Sequence, residues 1–479
     1  MSKNNSLLSN LFWKFSERIA AQVVTTAVSI ILARILDPSH YGVVSIVTIF
    51  ITLANVFVSD GFGSALIQKK DADALDFSSV LYFNVGFSFV LYLILFFAAP
   101  YISAFYGEGY EILTPVLRVL GLRIILTGAN SIQQAYVSKK MMFRKFFIST
   151  LGGTILSAIV GIIMALKGFG VWALVAQYLT NTFANTLILF IVINKRPLFA
   201  FSFNRLRKMF GFGARILGTN LMITGYMELR ALIIGKLYSA KDLAFFDKGK
   251  QFPNLIVANI NTSIGSVLFP KMAMEQDDSQ RIKNTTRNSI RFSSYIMSPL
   301  MAGLAAISPV FVSVVLTDKW LPCVPLMQLF CITYLFQPIH TANMQAIKAI
   351  GRSDVFLKLE TFKKVIELVV LVAVMWFGVD AIVMSTAILS ALFTVVNAFP
   401  NRKLLGYSFK EQAADILPAI LMSLIMATVV YILGTLQVNK ILLLIIQVIS
   451  GGVIYILLSV ITKNKQFKYL KDLVKSKLF

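Results

Sequence analysis

The sequence has few of the residues that usually carry catalytic or metal chemistry. It contains two cysteines, Cys323 and Cys331, and two histidines, His40 and His340. Two cysteines are too few for a disulfide framework or a thiolate metal site. A metal or catalytic centre built from two histidines is equally unexpected. The sequence therefore predicts a protein without metal or cofactor that is not an enzyme.

Charged residues are also scarce, and acidic ones are the scarcest. Only 14% of the 479 residues are charged, and 45 lysines and arginines face 22 acidic residues, for a formal net charge of +23. Hydrophobic residues make up 57% of the chain, and the mean hydropathy is +0.76. These values are typical of a membrane protein that crosses the bilayer many times.

Apolar stretches long enough to cross a membrane recur along the whole chain. A helix that spans about 30 Å of hydrocarbon needs about 20 mostly apolar residues. The sequence predicts fourteen such spans and hence an all-α, polytopic membrane protein. They cover residues 11–36, 41–66, 77–99, 112–137, 147–166, 171–193, 211–235, 249–270, 290–316, 324–348, 359–377, 381–400, 413–434 and 441–461.

Positive charge is divided unevenly between the loops that join these spans. The N-terminus, alternate loops from Lys69 to Arg402, and the C-terminal tail hold most of the loop lysines and arginines. Cytoplasmic loops carry this excess in membrane proteins. The pattern predicts that both termini lie in the cytoplasm, and it explains the positive charge without a nucleic-acid partner. The longest external loop, about 236–248, is too short for a catalytic domain.

Two segments that lie six spans apart resemble each other. Span four reads PVLRVLGLRIILTGANSIQQAYVSKK from Pro115, and span ten reads PLMQLFCITYLFQPIHTANMQAIKAI from Pro325. Internal repeats are frequent in transporters. The repeat predicts three parts of the chain. These are an N-terminal lobe of six spans at 1–200, a C-terminal lobe of six spans at 201–406, and two further spans with a basic tail at 407–479.

The two copies of the repeat also differ in an informative way. Gly128 and Pro338 occupy matching positions, and we predict that each lobe bends there. Arg123 of span four has no counterpart in span ten, where Thr333 or Tyr334 takes its place. Cationic character is therefore predicted to be concentrated in the first lobe.

Apart from Lys250, Lys348, Lys363 and Lys364, which we count with the adjoining loops, eight basic residues fall inside the predicted spans, although a charge at the bilayer centre is energetically costly. They are Lys14, Arg18, Arg34, Arg118, Arg123, Arg215, Arg230 and Arg291. Such residues usually face a bundle interior or a water-filled cavity. Four of them lie close to a membrane border, where a structural role is the better explanation: Lys14, Arg34, Arg215 and Arg291. Arg123 lies near mid-membrane, and its cationic group indicates an anionic cargo.

Spans one, two, four and seven each carry polar residues along one helix face. With the cations, these stripes predict a binding site for an anionic substrate. Its candidate residues are Arg18, Arg118, Arg123, Arg230, Asn55, Asn130 and Gln134. Two alternatives stay open. The uncharged members can equally join helices through hydrogen bonds, and Arg18, Arg118 and Arg230 can extend to the nearer interface.

Acidic residues inside the spans are candidates for coupling transport to an ion. The candidates are Asp60, Glu228 and Glu367, together with His340 in the middle of span ten. Glu367 either pairs with a cation from another helix or titrates during transport, and the sequence favours neither. His340 could relay a proton, although a histidine satisfied by neighbouring helices is the better interpretation.

Five stretches carry a resemblance to a known family. They are ILARILDPSHYGVVSI (31–46), DGFGSALIQKKDAD (60–73), GVWALVAQYL (170–179), FGFGARILGTNLM (210–222) and AFFDKGKQFPNLIVANINTSIGSVLFPKMA (244–273). In this order and on fourteen spans, the chain resembles the polysaccharide-export branch of the multidrug/oligosaccharidyl-lipid/polysaccharide exporter superfamily. That branch contains the flippases of O-antigen, colanic-acid and teichuronic-acid type.

The resemblance implies a transporter of the bacterial plasma membrane, with two six-helix lobes in a V shape around a central cavity and alternating access. Its implied cargo is an undecaprenyl-pyrophosphate-linked oligosaccharide, moved from the inner to the outer leaflet. Implied partners are the membrane lipids and the glycosyltransferases and polymerase of the same pathway. The residues agree, because arginine makes charge-assisted, often bidentate hydrogen bonds to phosphate.

Two other functions remain open at the level of sequence. A cation-coupled exporter of drugs or metabolites from the same superfamily would carry cationic cargo in an acidic cavity, and Arg18 and Arg123 disfavour it. A scaffold in a polysaccharide-assembly complex would transport nothing. An assay with a lipid-linked sugar distinguishes these alternatives.

Overall fold

The computed structural model describes residues 3–59, 62–193, 198–275 and 278–478. Within these ranges some side chains lie outside the description, among them those of Lys14 and Arg215. The described residues form helices and no strands. Twelve helices or helix pairs are long and apolar enough to cross a membrane. Two more, at Phe203–Leu237 and Ser353–Val374, carry more charge but match the seventh and eleventh predicted spans. The prediction of an all-α polytopic protein is confirmed.

The chain divides by packing into two compact units, residues 1–244 and 245–479. The three-part division predicted from the repeat follows sequence similarity rather than packing, and it stays a prediction. The helices of unit 1 are α1 (Lys3–Ile35), α2 (Pro38–Ser59), α3 (Phe62–Gln68), α4 (Ala74–Tyr106), α5 (Leu113–Leu120), α6 (Leu122–Lys139), α7 (Phe143–Leu166), α8 (Val171–Val192) and α9 (Phe203–Leu237).

Most of unit 2 is likewise helical, and its first helix begins in the last residues of unit 1. Its helices are α10 (Ala240–Met274), α11 (Ser279–Val315), α12 (Cys323–Leu335), α13 (Gln337–Ala349), α14 (Ser353–Val374), α15 (Val379–Leu405), α16 (Phe409–Leu433), α17 (Lys440–Ile461) and α18 (Lys465–Leu478), with a short 3₁₀ turn at Asp318–Trp320.

Small residues allow α7 and α8 to approach closely in unit 1. Every fourth residue on one face of α7 is small and buried: Ser149, Gly153, Ser157, Gly161 and Ala165. A Cβ atom added to Gly153 would lie 3.0 Å from the backbone nitrogen of Asn185 on α8. Asn181 of α8 also donates hydrogen bonds to Thr154 and Ser157. Close approach through small residues and interhelical hydrogen bonds is how helices associate in membranes.

The bend predicted at Gly128 is not marked by a break, because α6 runs through this residue without interruption, and it stays a prediction. Gly128 lets α6 pack tightly on α4, since an added Cβ would lie 2.4 Å from the hydroxyl of Ser88 and 3.0 Å from the carbonyl oxygen of Asn84. Span four is interrupted earlier, at Gly121 between α5 and α6. In the second copy the interruption falls at Phe336, two residues before Pro338, which occupies the first turn of α13.

An ion cluster fixes the start of α4 in unit 1. Asp73 caps the helix and forms a capping box with Asp76. Asp76, which is fully buried, accepts a hydrogen bond from the Lys69 amine at 2.6 Å, and Arg205 of α9 lies 2.6 Å from Asp73 and 3.3 Å from Asp76. The hydrogen bond from Arg205 lowers the pKa of Asp73 to about 2. The loop before α4 and the start of α9 are therefore held together by charge.

Unit 2 has an apolar cluster and a buried amide network at the same end of its helices. The cluster includes Met272, Ile282, Ile290, Ile339 and Tyr407. The network joins three helices: Asn343 of α13 donates to Gln412 of α16 at 2.9 Å, and Asn401 of α15 donates to Asn343 at 2.7 Å. Because all three amides are almost fully buried, these hydrogen bonds fix the helices in one register.

Candidate functional site

Arg123 is held by two residues of α8. Its Nε donates to the hydroxyl of Thr182 at 3.0 Å, and its guanidinium carbon lies 5.2 Å from the centre of the Tyr178 ring. The span containing Arg123 begins at Leu113, so a rise of 1.5 Å per residue places the arginine about 15 Å from that end. No carboxylate forms an ion pair with Arg123 among the described residues. The cation is therefore positioned, but not neutralised, within the span.

The orientation of Arg123 leaves most of its donors available. A guanidinium carries five N–H donors in a fixed plane. Among the described residues, only the Thr182 hydroxyl accepts a hydrogen bond from Arg123, and it does so from the Nε–H. The two Nη nitrogens together offer four further donors, in the geometry that suits two oxygens of one phosphate. Thr182 and Tyr178 thus hold the plane of the guanidinium and leave its Nη nitrogens available.

Arg118 lies on the same span but contacts a different helix. Its Nε donates to the backbone carbonyl of Phe96 on α4 at 3.3 Å, and its guanidinium carbon stacks 4.3 Å from the Phe96 ring centre. A carbonyl and an aromatic face stabilise a cation without removing its charge. Arg118 and Arg123 are therefore two uncancelled positive charges on one span, each stabilised by an adjacent helix.

The amides of the predicted site lie on α2 and α6, which pack against each other. Asn130 is buried and Asn55 is half-buried, and the Oδ1 atom of each has no hydrogen-bond partner in the described part of the chain. Gln134 is half-buried one turn beyond Asn130. An unpaired buried acceptor is costly, and a hydroxyl of a bound sugar would satisfy it.

Asn84 of α4 completes this region, although the sequence patterns did not single it out. Its side-chain nitrogen donates to the carbonyl oxygen of Val58 on α2 at 3.0 Å and to the hydroxyl of Ser131 on α6 at 3.2 Å. This one buried amide joins three helices that carry or border the predicted site. The pair Asn84 and Ser88, four residues apart in an apolar span, is the signal that could have revealed it.

The other predicted residues of unit 1 lie on helices α1 and α9. Arg18 is exposed on α1. Arg230 of α9 is half-buried and contacts the hydroxyl of Tyr226 at 3.4 Å, one turn earlier on the same helix. Glu228 is half-buried beside it and makes interactions of its own. Asp60, the remaining acidic candidate of unit 1, lies outside the described residues.

In unit 2, both ion-coupling candidates contact neighbouring side chains. Glu367 lies 3.1 Å from the amine of Lys364, one turn earlier on α14. His340 of α13 lies between two residues of α15: the Asn397 amide nitrogen is 2.7 Å from Nδ1, and the Ser390 hydroxyl is 3.4 Å from Nε2. These contacts favour a histidine that joins helices, and the relay stays a prediction.

An ion cluster in unit 2 explains Arg291, one of the arginines predicted to have a structural role. The Asp415 carboxylate of α16, only 2% exposed, accepts hydrogen bonds from Arg287 at 2.7 and 3.0 Å, from Arg291 at 2.8 Å and from the Tyr407 hydroxyl at 2.8 Å. Lys283 pairs with Glu411 one turn earlier. Since Asp415 was not identified from sequence, the partner of these arginines is a new observation.

Unit 2 also contains an apolar groove of about 420 Å³ between α10, α11, α16 and α17. Its lining includes Ile256, Pro299, Met426, Val448 and Ile456, and Gln447 is the one amide among the lining residues. A groove of this composition suits a hydrocarbon chain rather than a sugar. Among the described residues there is no group of three or more His, Cys, Asp or Glu side chains that could hold a metal ion.

The described helices are those of a polytopic α-helical membrane protein, with Arg118 and Arg123 placed within one span. The family model described as polysaccharide biosynthesis protein matches residues 31–325, more than half of the chain. The chain belongs to this family of polysaccharide biosynthesis proteins.

Two relatives and one solved structure are similar to this chain over most of their length. The succinoglycan biosynthesis transport protein ExoT of Rhizobium meliloti (strain 1021) is 23% identical, over 93% of this chain and 91% of that protein. The teichuronic acid biosynthesis protein TuaB of Bacillus subtilis (strain 168) is 24% identical, over 74% and 73%. The lipid II flippase MurJ in an inward closed conformation superposes with a TM-score of 0.73 at 16% identity, covering 98% of this chain and all of that one.

Proposed function

We propose that this protein is a flippase for a polyprenyl-diphosphate-linked oligosaccharide in the bacterial plasma membrane. It moves the lipid-linked sugar from the inner to the outer leaflet by alternating access, for the synthesis of a cell-surface polysaccharide. Membership of the polysaccharide biosynthesis family supports this function, as do relatives named for succinoglycan transport and teichuronic acid biosynthesis and a fold shared with a lipid II flippase. The cargo is undecaprenyl pyrophosphate bearing the oligosaccharide.

The observation that carries the proposal is the position of Arg123. Thr182 and Tyr178 hold its planar guanidinium group deep in a span, and among the described residues no carboxylate neutralises it. A diphosphate offers several charged oxygens to the remaining donors, and charge-assisted hydrogen bonds are the strong ones. Arg118 adds a second cation about one and a half helical turns away on the same span. A cationic drug would be repelled here, which disfavours a multidrug exporter.

The remaining parts of the cargo correspond to other features of the chain. Asn55 and Asn130 offer buried acceptor oxygens for sugar hydroxyls. The apolar groove of unit 2 offers a surface for polyprenyl carbon atoms. We propose that the cations and amides of unit 1 recognise the diphosphate and the sugar.

A cellular experiment tests this function. Bacteria that lack the chain should accumulate the lipid-linked oligosaccharide on the cytoplasmic leaflet, where a membrane-impermeant glycosidase added outside cannot digest it. Restoring the gene should make the sugar accessible outside. If the lipid-linked sugar is equally accessible in the deleted strain, the proposed function is wrong. A change in drug resistance without a change in lipid-linked sugar would favour the multidrug exporter.

Both termini are proposed to lie in the cytoplasm, as the distribution of positive charge predicts. Membrane-impermeant maleimide should label cysteines introduced at Glu108 and Val438 from outside, and should miss cysteines at Lys70 and Arg281. All four positions are exposed. The native Cys323 and Cys331 are buried, so they provide a low background. Labelling of Lys70→Cys or Arg281→Cys in intact cells would contradict the orientation.

Glu367 is proposed to couple transport to protons, in which case Glu367→Gln imitates the protonated carboxyl. We expect this variant to lose export driven by a proton gradient while it still exchanges cargo between leaflets. If Glu367 is only a partner of Lys364, the substitution should lower expression or thermal stability instead. Gradient-driven export at the normal rate by a stable Glu367→Gln protein would contradict both roles.

A further inference from the structure

A groove in unit 2 that adjoins the first, and shares Pro299, Leu300, Tyr455 and Ile456 with it, lies where the C-terminal helix meets the bundle. Helix α18 packs on the beginning of α11, where the Tyr469 ring meets Phe292 edge to face with centres 6.3 Å apart. Between α11, α17 and α18 is a groove of about 640 Å³. Its lining includes Tyr295, Pro299, Leu300, Ile456, Phe467 and Leu470. Among the described residues that line this groove, Lys471 is the only charged one.

The helix above this groove is amphipathic and basic. Phe467 and Leu470 face the bundle, whereas Lys465, Lys468 and Lys471 are exposed. At 100° per residue these three lysines occupy one arc of the helix, separate from the two apolar residues. None of the three forms an ion pair with a described residue. Helices of this type lie in the membrane interface and are attracted to anionic lipids.

We propose that the groove beneath α18 binds an anionic phospholipid of the membrane, with one acyl chain along the apolar floor and the phosphate against Lys471 and Lys468. Leu300 is 43% and Ile456 is 52% exposed, so the floor is open to a lipid chain from the side. A neutral lipid would form no ion pair with the lysines, and free phosphate would not cover the apolar floor. A phospholipid matches both features.

None of the cations proposed to bind the diphosphate lines this groove. A bound phospholipid would tie α18 to α11 and α17 at the membrane surface. With the proposed orientation, this surface is the cytoplasmic leaflet, where the negative surface potential attracts basic segments. The inference therefore goes beyond the proposed transport and holds for any cargo.

Photo-crosslinking of the full chain tests the proposal. The protein is placed in phosphatidylcholine nanodiscs that contain a small fraction of phosphatidylglycerol with a diazirine in one acyl chain, and the adducts are mapped by mass spectrometry. We expect adducts on the segments around Leu300, Ile456 and Leu470. Because each lysine near an anionic surface contributes about 1 kcal/mol, Lys471→Gln should lower this labelling about fivefold, and Lys468→Gln with Lys471→Gln about twenty-fivefold.

Lys410→Gln is the matched control, since Lys410 is an exposed lysine at the beginning of α16 that does not line the groove. It should label like the native chain. Leu300→Trp, which fills the groove and keeps every lysine, should also lose labelling. Equal labelling by a diazirine phosphatidylcholine would overturn the proposal. So would displacement of the probe from the segment around Leu470, which lines only this groove, by an equal amount of undecaprenyl phosphate, because the groove would then belong to a polyprenyl lipid.

Discussion

Arg123→Ala is expected to reduce export of the lipid-linked oligosaccharide to near background while the protein remains folded and inserted. The substitution removes the guanidinium that Thr182 and Tyr178 hold within the span. Hydrogen bonds to charged groups contribute about 1.5–3 kcal/mol each, so the loss of two should slow transport at least about a hundredfold. The measurement is the rate at which labelled lipid-linked sugar reaches the outer leaflet.

Two further variants separate the role of the positive charge from that of the planar guanidinium, and a third is a control. Arg123→Lys should recover only part of the rate, because an ammonium cannot make the planar bidentate contact. Thr182→Val keeps the cation but removes the acceptor of its Nε–H, and it should give an intermediate loss. Arg352→Ala is the control, since Arg352 pairs with Asp354 at an exposed helix end. Native export by a well-expressed Arg123→Ala protein would contradict the assignment.

Asp415→Asn is expected to lower stability rather than alter cargo recognition. The buried carboxylate is shared by Arg287, Arg291 and Tyr407, and an amide of the same size cannot balance two guanidinium charges. Removing one partner of a buried ion pair typically costs 3–5 kcal/mol. Both arginines are about a third exposed, so we expect a cost of about 2–4 kcal/mol. The apparent melting temperature in detergent should fall by several degrees.

The matched control for Asp415 is Asp354→Asn. Asp354 and Arg352 also form a close pair, but about half of each side chain is exposed. An exposed pair contributes about 0–1 kcal/mol, so the melting temperature of this variant should hardly move. Equal melting temperatures for Asp415→Asn and the native protein would show that the cluster does not hold α16 to α11.

The helices were predictable because the membrane imposes a length and a composition on each span. Even α9 and α14, which are too charged to qualify by hydropathy alone, coincide with predicted spans. The role of Gly128 was harder to predict. Glycine in a membrane helix permits either a bend or close packing, and only the position of Ser88 on α4 shows that Gly128 serves packing.

The residues of the candidate site could be proposed from the sequence, but the contacts that position them could not. The depth of Arg123 and its unusual charge can be read from one span. That Thr182 and Tyr178 position it, however, depends on the pairing of α6 with α8, which no local pattern encodes. Asn84 and Asp415 were missed for the same reason, since each acts through partners on other helices that are distant in sequence.

The most direct test of the central claim uses purified protein in liposomes that contain a fluorescent polyprenyl-diphosphate oligosaccharide. An impermeant reagent that quenches only the outer leaflet reports movement between leaflets. The native protein should make the initially protected probe accessible much faster than in protein-free liposomes, and Arg123→Ala should not. Movement at the protein-free rate with folded native protein, or equal movement with Arg123→Ala, would contradict a flippase that recognises the diphosphate through Arg123.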